Sequence, residues 1–343
     1  MAVTTAPLPR ELDPHRLRRR AGGLAALVAV VGLVLLLAPG LDELRSTLGD
    51  AAPAWLAVAV ALEALSCLSY VAMFRPVFCR RMDRRRSWQI AWSELGVGSI
   101  VPASGATGLA LGAWVLHQGG MASERIARRS VAFFLIKSSV NFVAVALLGT
   151  LLAVGVLGPD LSLWLTALPA AMALAVIVGL LLLPRLGPGR EPAADARRVT
   201  RALSAARRAV ISGTAEAVEL ARSRDLVLLT GAVGYWAFDN AVLWATFNAV
   251  GEAPALTIIL LGYLIGQLGG LLPIPGGIGG IDGGLIGTLV VFGTPLAATV
   301  AAVLAYRVIL FWLPLVVGGA AFVSLRHGLA HPGNSARVVT ADC

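Results

Sequence analysis

The sequence predicts an all-α polytopic membrane protein, with about six full spans and two broken or re-entrant helix hairpins arranged as an inverted repeat. Three observations carry that expectation. Apolar runs of about 18–25 residues recur along the 343-residue chain, long enough to cross a hydrocarbon core of about 30 Å. Arginines cluster in some of the polar stretches between those runs and acids in others, the alternation that the positive-inside rule produces. Two apolar stretches are interrupted by proline and glycine, which remove backbone donors and weaken helices. The balance of 57% hydrophobic to 14% charged residues, with mean hydropathy +0.81, excludes a soluble domain.

The net charge of +9 does not point to nucleic acid, because the arginines lie beside apolar runs. Cys67, Cys79 and Cys343 form no CxxC pair and no disulfide scaffold. Of the histidines only His327 and His331 have i, i+4 spacing, in a Gly/Pro-bearing tail. Neither a metal site nor a cofactor is expected.

Residues 1–20 form a basic N-terminus ending Arg16-Leu-Arg-Arg-Arg20, expected in the cytoplasm. Ala21–Ala38 is the first span. No A-x-A site closes it, so it reads as uncleaved rather than as a signal peptide. The loop 39–53 is acidic and outside. Ala54–Phe74 returns to a loop rich in arginine, Arg75 to Arg86, hence cytoplasmic.

Residues 88–116 are apolar but broken by Gly96, Gly98, Pro102, Gly105 and Gly108, and the next loop, 117–129, is again basic. A single crossing cannot join two cytoplasmic loops. The economical solution is a hairpin of two half-helices with Val101–Gly105 at its tip. The alternative is one ordinary span that breaks the charge rule. Ser130–Val156 then goes out and Leu163–Leu183 comes back. The loop 184–225 carries nine arginines against five acids. Within it Val199, Leu203, Ala206, Val210, Ala217 and Ala221 recur at helical spacing, which predicts a basic amphipathic helix, either on the anionic leaflet or as a solvated linker.

Leu226–Val250 goes out. The stretch 271–284, Leu-Leu-Pro-Ile-Pro-Gly-Gly-Ile-Gly-Gly-Ile-Asp-Gly-Gly, follows the apolar run from Leu256. In hydrocarbon such backbone is tolerated only where protein buries it or a cavity takes it up. It reads as the tip of a second hairpin, completed by Leu285–Phe292; a tight turn outside the membrane is the competing reading. Pro295–Leu325 returns inward, and residues 326–343 form a cytoplasmic tail. Both termini are expected on the cytoplasmic side of a cell membrane. The Ala, Arg and Gly bias suggests a GC-rich bacterial genome.

The two broken segments align at a constant spacing of 173: Glu94 with Gln267, Gly96 with Gly269, Pro102 with Pro275 and Gly120 with Gly293. At a spacing of 170, Lys137 aligns with Arg307 and Gly149 with Gly319. The membrane domain 21–325 therefore divides into repeat one, 21–157, and repeat two, 163–325. Each crosses an odd number of times, so the second is inverted. Secondary transporters built this way place their site where the broken helices meet.

Charged groups inside spans are costly and mark function by default. Those here are Glu63, Glu94, Lys137, Asp239, Asp282 and Arg307. Arg307 is a candidate phosphate ligand, since guanidinium grips phosphate bidentately. Backbone donors at Gly276, Gly277 and Gly279 would add to it. Asp282 either pairs with Arg307 in the empty site, binds a coupling cation, or forms a permanent structural pair. Glu63, Glu94 and Asp239 are candidates for coupling, as proton carriers or as partners of a neighbouring helix. Pro102, Ser104, Pro275 and Lys137 complete the candidate substrate site, Lys137 with a snorkelling role as its competitor. The chain shows no P-loop, GxSxG, HExxH or DxD motif, and catalysis is not expected.

The run Pro275-Gly-Gly-Ile-Gly-Gly-Ile-Asp282, then Gly293-Thr-Pro295, Tyr306-Arg307, Phe311-Trp312-Leu-Pro314 and Gly318, resembles the membrane domain of lysylphosphatidylglycerol synthases, a flippase-like integral membrane domain. Asp282 stands where that family carries an acid, commonly Glu, and Arg307 stands at its Arg. The first half departs from the pattern: Pro102-Ala-Ser-Gly-Ala-Thr lacks the charges that follow the family's Pro, and Lys137 replaces an Arg. The resemblance implies handling of an amphiphile with a phosphate-bearing head: a flippase of a lipid or polyprenyl-linked amphiphile, a non-catalytic subunit presenting lipid to a separate transferase, or, on the same architecture, a cation-coupled solute transporter. Membrane lipids are the expected partners, with a lipid-modifying transferase as a further one. The cytosolic aminoacyltransferase of two-domain members is not expected here, so lysyl transfer is not carried over.

Overall fold

The structure, a computed structural model, describes residues 40–100, 106–156, 163–187, 197–269 and 280–330, with Arg19, Gly22, Gly23, Leu37 and Gly189 as isolated positions. The described residues form eleven α-helices and no strand. They are α1 Asp42–Gly49, α2 Pro53–Phe78, α3 Arg84–Ile100, α4 Ala106–Gln118, α5 Ser123–Ala153, α6 Leu163–Leu182, α7 Arg198–Arg222, α8 Leu226–Ala249, α9 Leu256–Gly269, α10 Gly280–Val291 and α11 Leu296–Ala330.

Five of these stretches are long and apolar enough to cross a membrane: Pro53–Phe78, Ser123–Ala153, Thr166–Leu186, Leu226–Ala249 and Leu296–His327. They match the second to fifth and the last expected spans. The first, Ala21–Ala38, lies outside the described residues apart from Gly22, Gly23 and Leu37. The outer face of α6 leaves Leu168, Met172, Leu174, Val178 and Leu181 uncovered, as a lipid-facing helix requires. Hydroxyls within apolar helices bond back to their own helix, as Thr150 does to the Ala146 carbonyl and Thr288 to that of Gly284, so they need no water.

Each stretch expected to form a hairpin holds two short helices, its expected tip lying outside the described residues. α3 and α4 have 17 and 13 residues, α9 and α10 have 14 and 12. At 1.5 Å per residue α4, α9 and α10 each rise only about 20 Å, less than a hydrocarbon core. Glycines let the members of each pair touch. A Cβ on Gly266 of α9 would stand 3.0 Å from the Ile281 carbonyl oxygen of α10, and one on Gly108 of α4 would stand 2.5 Å from that of Glu94 in α3.

Local sequence misplaces some boundaries. α3 runs unbroken through Gly96 and Gly98. α10 starts at Gly280, not Leu285, so Asp282 lies in its first turn. Packing on α9 outweighs the poor helix propensity of glycine there. α5 starts at Ser123, which takes Arg125, Arg128 and Arg129 into the helix. The acidic loop holds α1, whose Arg45 pairs with Asp42 at 2.6 Å one turn earlier.

The chain divides into two compact units, and the division cuts α2, α3, α4 and α8. The first takes in Met1–Leu68, Trp88–Trp114 and Ala237–Pro332. Here Gly96 of α3 packs against Gly318 of α11, and the Ala52 amide, just before α2, donates to the Ala249 carbonyl at the end of α8 at 2.8 Å. Trp55 and Trp244 meet edge to face at 5.2 Å beside that bond.

The second unit takes in Ser69–Ser87, Val115–Trp236 and Gly333–Cys343. α5 is its centre. Gly149 seats α6 on it through the Thr166 carbonyl and Ala170, and Gly213 seats α7 against Val131. The expected basic amphipathic helix is thus present as α7, with the inward positions of its C-terminal half, Ile211, Thr214 and Ala217, buried. Val199 and Leu203 stay exposed in its N-terminal half.

Candidate functional site

Three apolar helices of the first unit, α8, α10 and α11, bring charge together. Arg307 lies in the first half of α11, and its Nε donates to Asp282 Oδ1 at 2.5 Å. Asp282 sits where a carboxylate also meets the positive end of the α10 dipole. The Arg307 side chain keeps 38% of its surface exposed, against 20% for Asp282. Among the described residues its two terminal nitrogens have no hydrogen-bond partner. Those nitrogens form the fork that grips phosphate.

The neighbouring Tyr306 turns into the protein. It is 3% exposed, and its hydroxyl donates to Asp239 Oδ1 at 3.0 Å. Tyr263 of α9 donates to the other oxygen, Oδ2, at 2.5 Å. Each oxygen of Asp239 therefore has its own hydroxyl donor. The Tyr306 ring also lies under Arg307, whose guanidinium carbon is 5.8 Å from the ring centre.

Glu63 of α2 belongs to the same unit and is 5% exposed. The Cys67 thiol, one turn along, donates to its Oε1 at 3.2 Å. Oε2 is enclosed and receives no hydrogen bond among the described residues. Asp239 is the other carboxyl within electrostatic reach of it.

The structure thus brings four of the candidate residues, Arg307, Asp282, Asp239 and Glu63, into one unit, with Asp239 tied to α9 and α11. Glu94 is in that unit as well, 2% exposed, but it packs at the α3–α4 contact, where Gly108 and Gly112 make room for it. Lys137 belongs to the second unit, its ammonium between the rings of Tyr70, Phe134 and Tyr235 at 5.9, 5.7 and 5.6 Å. Pro102, Ser104, Pro275, Gly276, Gly277 and Gly279 lie outside the described residues. Tyr263 and Cys67 escape sequence reading. A tyrosine in the apolar run 256–269 is the one signal for the first, and the i, i+4 spacing to Glu63 the one for the second. Among the described residues no three His, Cys, Asp or Glu side chains converge as they would around a metal ion.

A helical protein with several apolar spans, short helix pairs and charges inside the apolar region is a multi-pass membrane protein. The chain belongs to the family of the lysylphosphatidylglycerol synthase TM region, whose sequence profile matches residues 23–318. It is similar to two UPF0104 membrane proteins of Methanothermobacter thermautotrophicus. One is 24% identical over 86% of this chain and 92% of the relative, the other 26% identical over 89% and 93%.

Proposed function

We propose that this protein binds a lipid or polyprenyl-linked amphiphile through its phosphate-bearing head group and carries it between leaflets. The observation that supports this most is the state of Arg307. It is an arginine within the apolar region, anchored among the described residues through Nε alone, with the phosphate-gripping end of its guanidinium without a hydrogen-bond partner among them and the side chain partly exposed. A purely structural arginine in hydrocarbon would be expected to commit more of its donors, because each unmet one is costly there. A phosphate ester supplies the acceptors, and its acyl or prenyl chains suit the uncovered apolar faces.

Asp282 serves as the stand-in anion. It holds Arg307 in place when no head group is bound and gives way, in part, when one arrives. Pro102, Ser104, Pro275, Gly276, Gly277 and Gly279 are the further candidates for lining the site. The two short helix pairs are the elements we expect to rearrange during translocation, in the manner of discontinuous helices in transporters. The arginine-rich stretches place the loops 75–86, 117–129 and 184–225, with both termini, on the cytoplasmic side in this reading.

The test is native mass spectrometry of the purified protein with co-extracted lipids, beside Arg307→Ala and Arg307→Lys. Retention of a phosphate-bearing lipid by the wild type, its loss in Arg307→Ala and its weakening in Arg307→Lys are expected. The lipid so identified then enters a leaflet-exchange assay in proteoliposomes. Equal retention by all three proteins would remove Arg307 as the head-group ligand.

A further inference from the structure

We infer that Glu63 anchors a binding site for one monovalent cation, a proton or a small alkali-metal ion, between α2 and α8 of the first unit. The inference goes beyond the head-group site and stands on different residues. Glu63 lies near the middle of α2, and its side chain is nineteen-twentieths enclosed. One carboxyl oxygen takes the Cys67 thiol, a weak donor. The other, Oε2, has nothing to accept from among the described residues. Buried oxygens of native proteins are nearly always partnered, and one that is not calls for an explanation.

Among the described residues no positive charge acts directly on Glu63. The groups that act electrostatically on Glu63 are Asp239 of α8 and the Cys67 thiol of its own helix. Arg307, the cation of this unit's site, is engaged by Asp282. Asp239 is already satisfied as a carboxylate, with a tyrosine hydroxyl on each oxygen. Glu63 is therefore the carboxyl with a vacant oxygen, and it faces a second negative group rather than a counter-ion. One positive charge at Oε2 resolves both facts. A multivalent metal does not fit, since no third His, Cys, Asp or Glu side chain joins the cluster among the described residues.

The position also gives the cation something to report. Asp239 connects Glu63 to Tyr306, and Tyr306 lies under Arg307. A charge gained at Glu63 changes the field at Asp239 and, through it, the field at the phosphate-binding arginine. Loading the two sites is then coupled, each changing the affinity of the other by the same factor.

The experiment is infrared difference spectroscopy on the full-length protein in lipid nanodiscs, with two arms. A pH step reads the carbonyl stretch of a neutral carboxylic acid. A step from choline chloride to sodium chloride at constant pH reads the carboxylate stretches. We expect one of the two steps to give a signal that Glu63→Gln loses and that Arg307→Ala keeps. A signal in the pH arm identifies the proton as the occupant, and one in the sodium arm the metal ion. Cys67→Ala is the second variant. It leaves the carboxyl in place and shifts the band, because the hydrogen bond on Oε1 is gone. No band that Glu63→Gln removes and Cys67→Ala shifts, in either arm, would overturn the site. Because Arg307→Ala is expected to lose lipid yet keep the cation signal, failure here and failure of the head-group reading give different patterns.

Discussion

Tyr306 donates its hydroxyl to Asp239 at 3.0 Å, while the next residue, Arg307, turns to Asp282 at 2.5 Å. One turn of α11 thus ties itself to α8 and to α10, and the same tyrosine ring lies under the guanidinium. Hydroxyl and ring are separable. Tyr306→Phe removes the donor and keeps the ring; Tyr306→Ala removes both. We expect Tyr306→Phe to lower stability by about 1 kcal/mol, as for a polar group left with one donor fewer, and to keep lipid on Arg307. Tyr306→Ala is expected to lose the lipid as well. Thermal unfolding followed by tryptophan fluorescence, set beside lipid retention in native mass spectra, checks both. Equal lipid loss in the two variants would show that the hydroxyl, not the ring, positions Arg307.

Asp239 has a second donor in Tyr263, and that makes the two tyrosines mutual insurance. Each single change to Phe leaves Asp239 one hydroxyl. The double change leaves none, so its effect on stability is expected to exceed the sum of the singles by about 1 kcal/mol. A double-mutant cycle in unfolding midpoints measures the excess. Strict additivity would mean that the two bonds act independently.

Gly96 and Gly318 explain themselves by contact rather than by flexibility. A Cβ on Gly318 would stand 2.6 Å from the Gly96 amide nitrogen, and one on Gly96 would stand 2.8 Å from the Gly318 carbonyl carbon. Both obstacles are backbone, so no side chain can swing aside. We expect Gly318→Ala to lower stability by about 1–3 kcal/mol, the usual cost of overpacking. Gly319→Ala, with nothing within 4 Å of its Cβ position, is the control and is expected to be near neutral. Unfolding midpoints of the two variants in the same detergent decide it.

How much of this was legible in the chain follows from where each signal resides. Long apolar runs and arginine clusters are local, so the spans from α2 to α11 could be placed from sequence. That the two hairpin stretches hold short helices rather than one long span was legible because proline and glycine announce themselves. The pairing of Arg307 with Asp282 was legible as one of the alternatives, because charges in apolar sequence need partners. The start of α10 was not, because six glycines argue against helix and only the face of α9 beside Gly266 reverses that. Nor were the Tyr263 and Tyr306 bonds to Asp239, which join residues 24 and 67 positions apart. The affinity of a tyrosine for a particular carboxylate has no spacing signature until the helices are packed.

Lys137 shows a sequence match without a shared setting. It aligns with Arg307, which pairs with Asp282, yet its own ammonium stands among Tyr70, Phe134 and Tyr235. Three rings within 6 Å of one ammonium stabilise it through their negative faces. Lys137→Met keeps the apolar stem and removes the charge. We expect it to lower stability by about 1 kcal/mol and to leave lipid retention unchanged, which the same two measurements report. Loss of lipid at unchanged stability would instead make Lys137 a head-group ligand.

One carboxylate joins α7 to α5 by two ion pairs. Glu216, its side chain 11% exposed, pairs with Arg128 at 2.6 Å and Arg129 at 2.5 Å, both on α5. Arg129 in turn donates to the Val77 carbonyl at the end of α2. Exposed ion pairs contribute little, but this acid is nearly enclosed and two guanidiniums converge on it, so removing it leaves both without their shared partner. Packing seats the helix as well, through Gly213 on Val131 with Ile211, Thr214 and Ala217 buried around it. Glu216→Gln is therefore expected to loosen the whole of α7, while the exposed Glu219→Gln does not. Hydrogen exchange across residues 198–222 reads the opening directly, and trypsin reads it at Arg201, Arg207 and Arg208. Faster exchange confined to the first two turns, with Ile211 to Arg222 still protected, would mean that packing and not the ion pairs holds the helix.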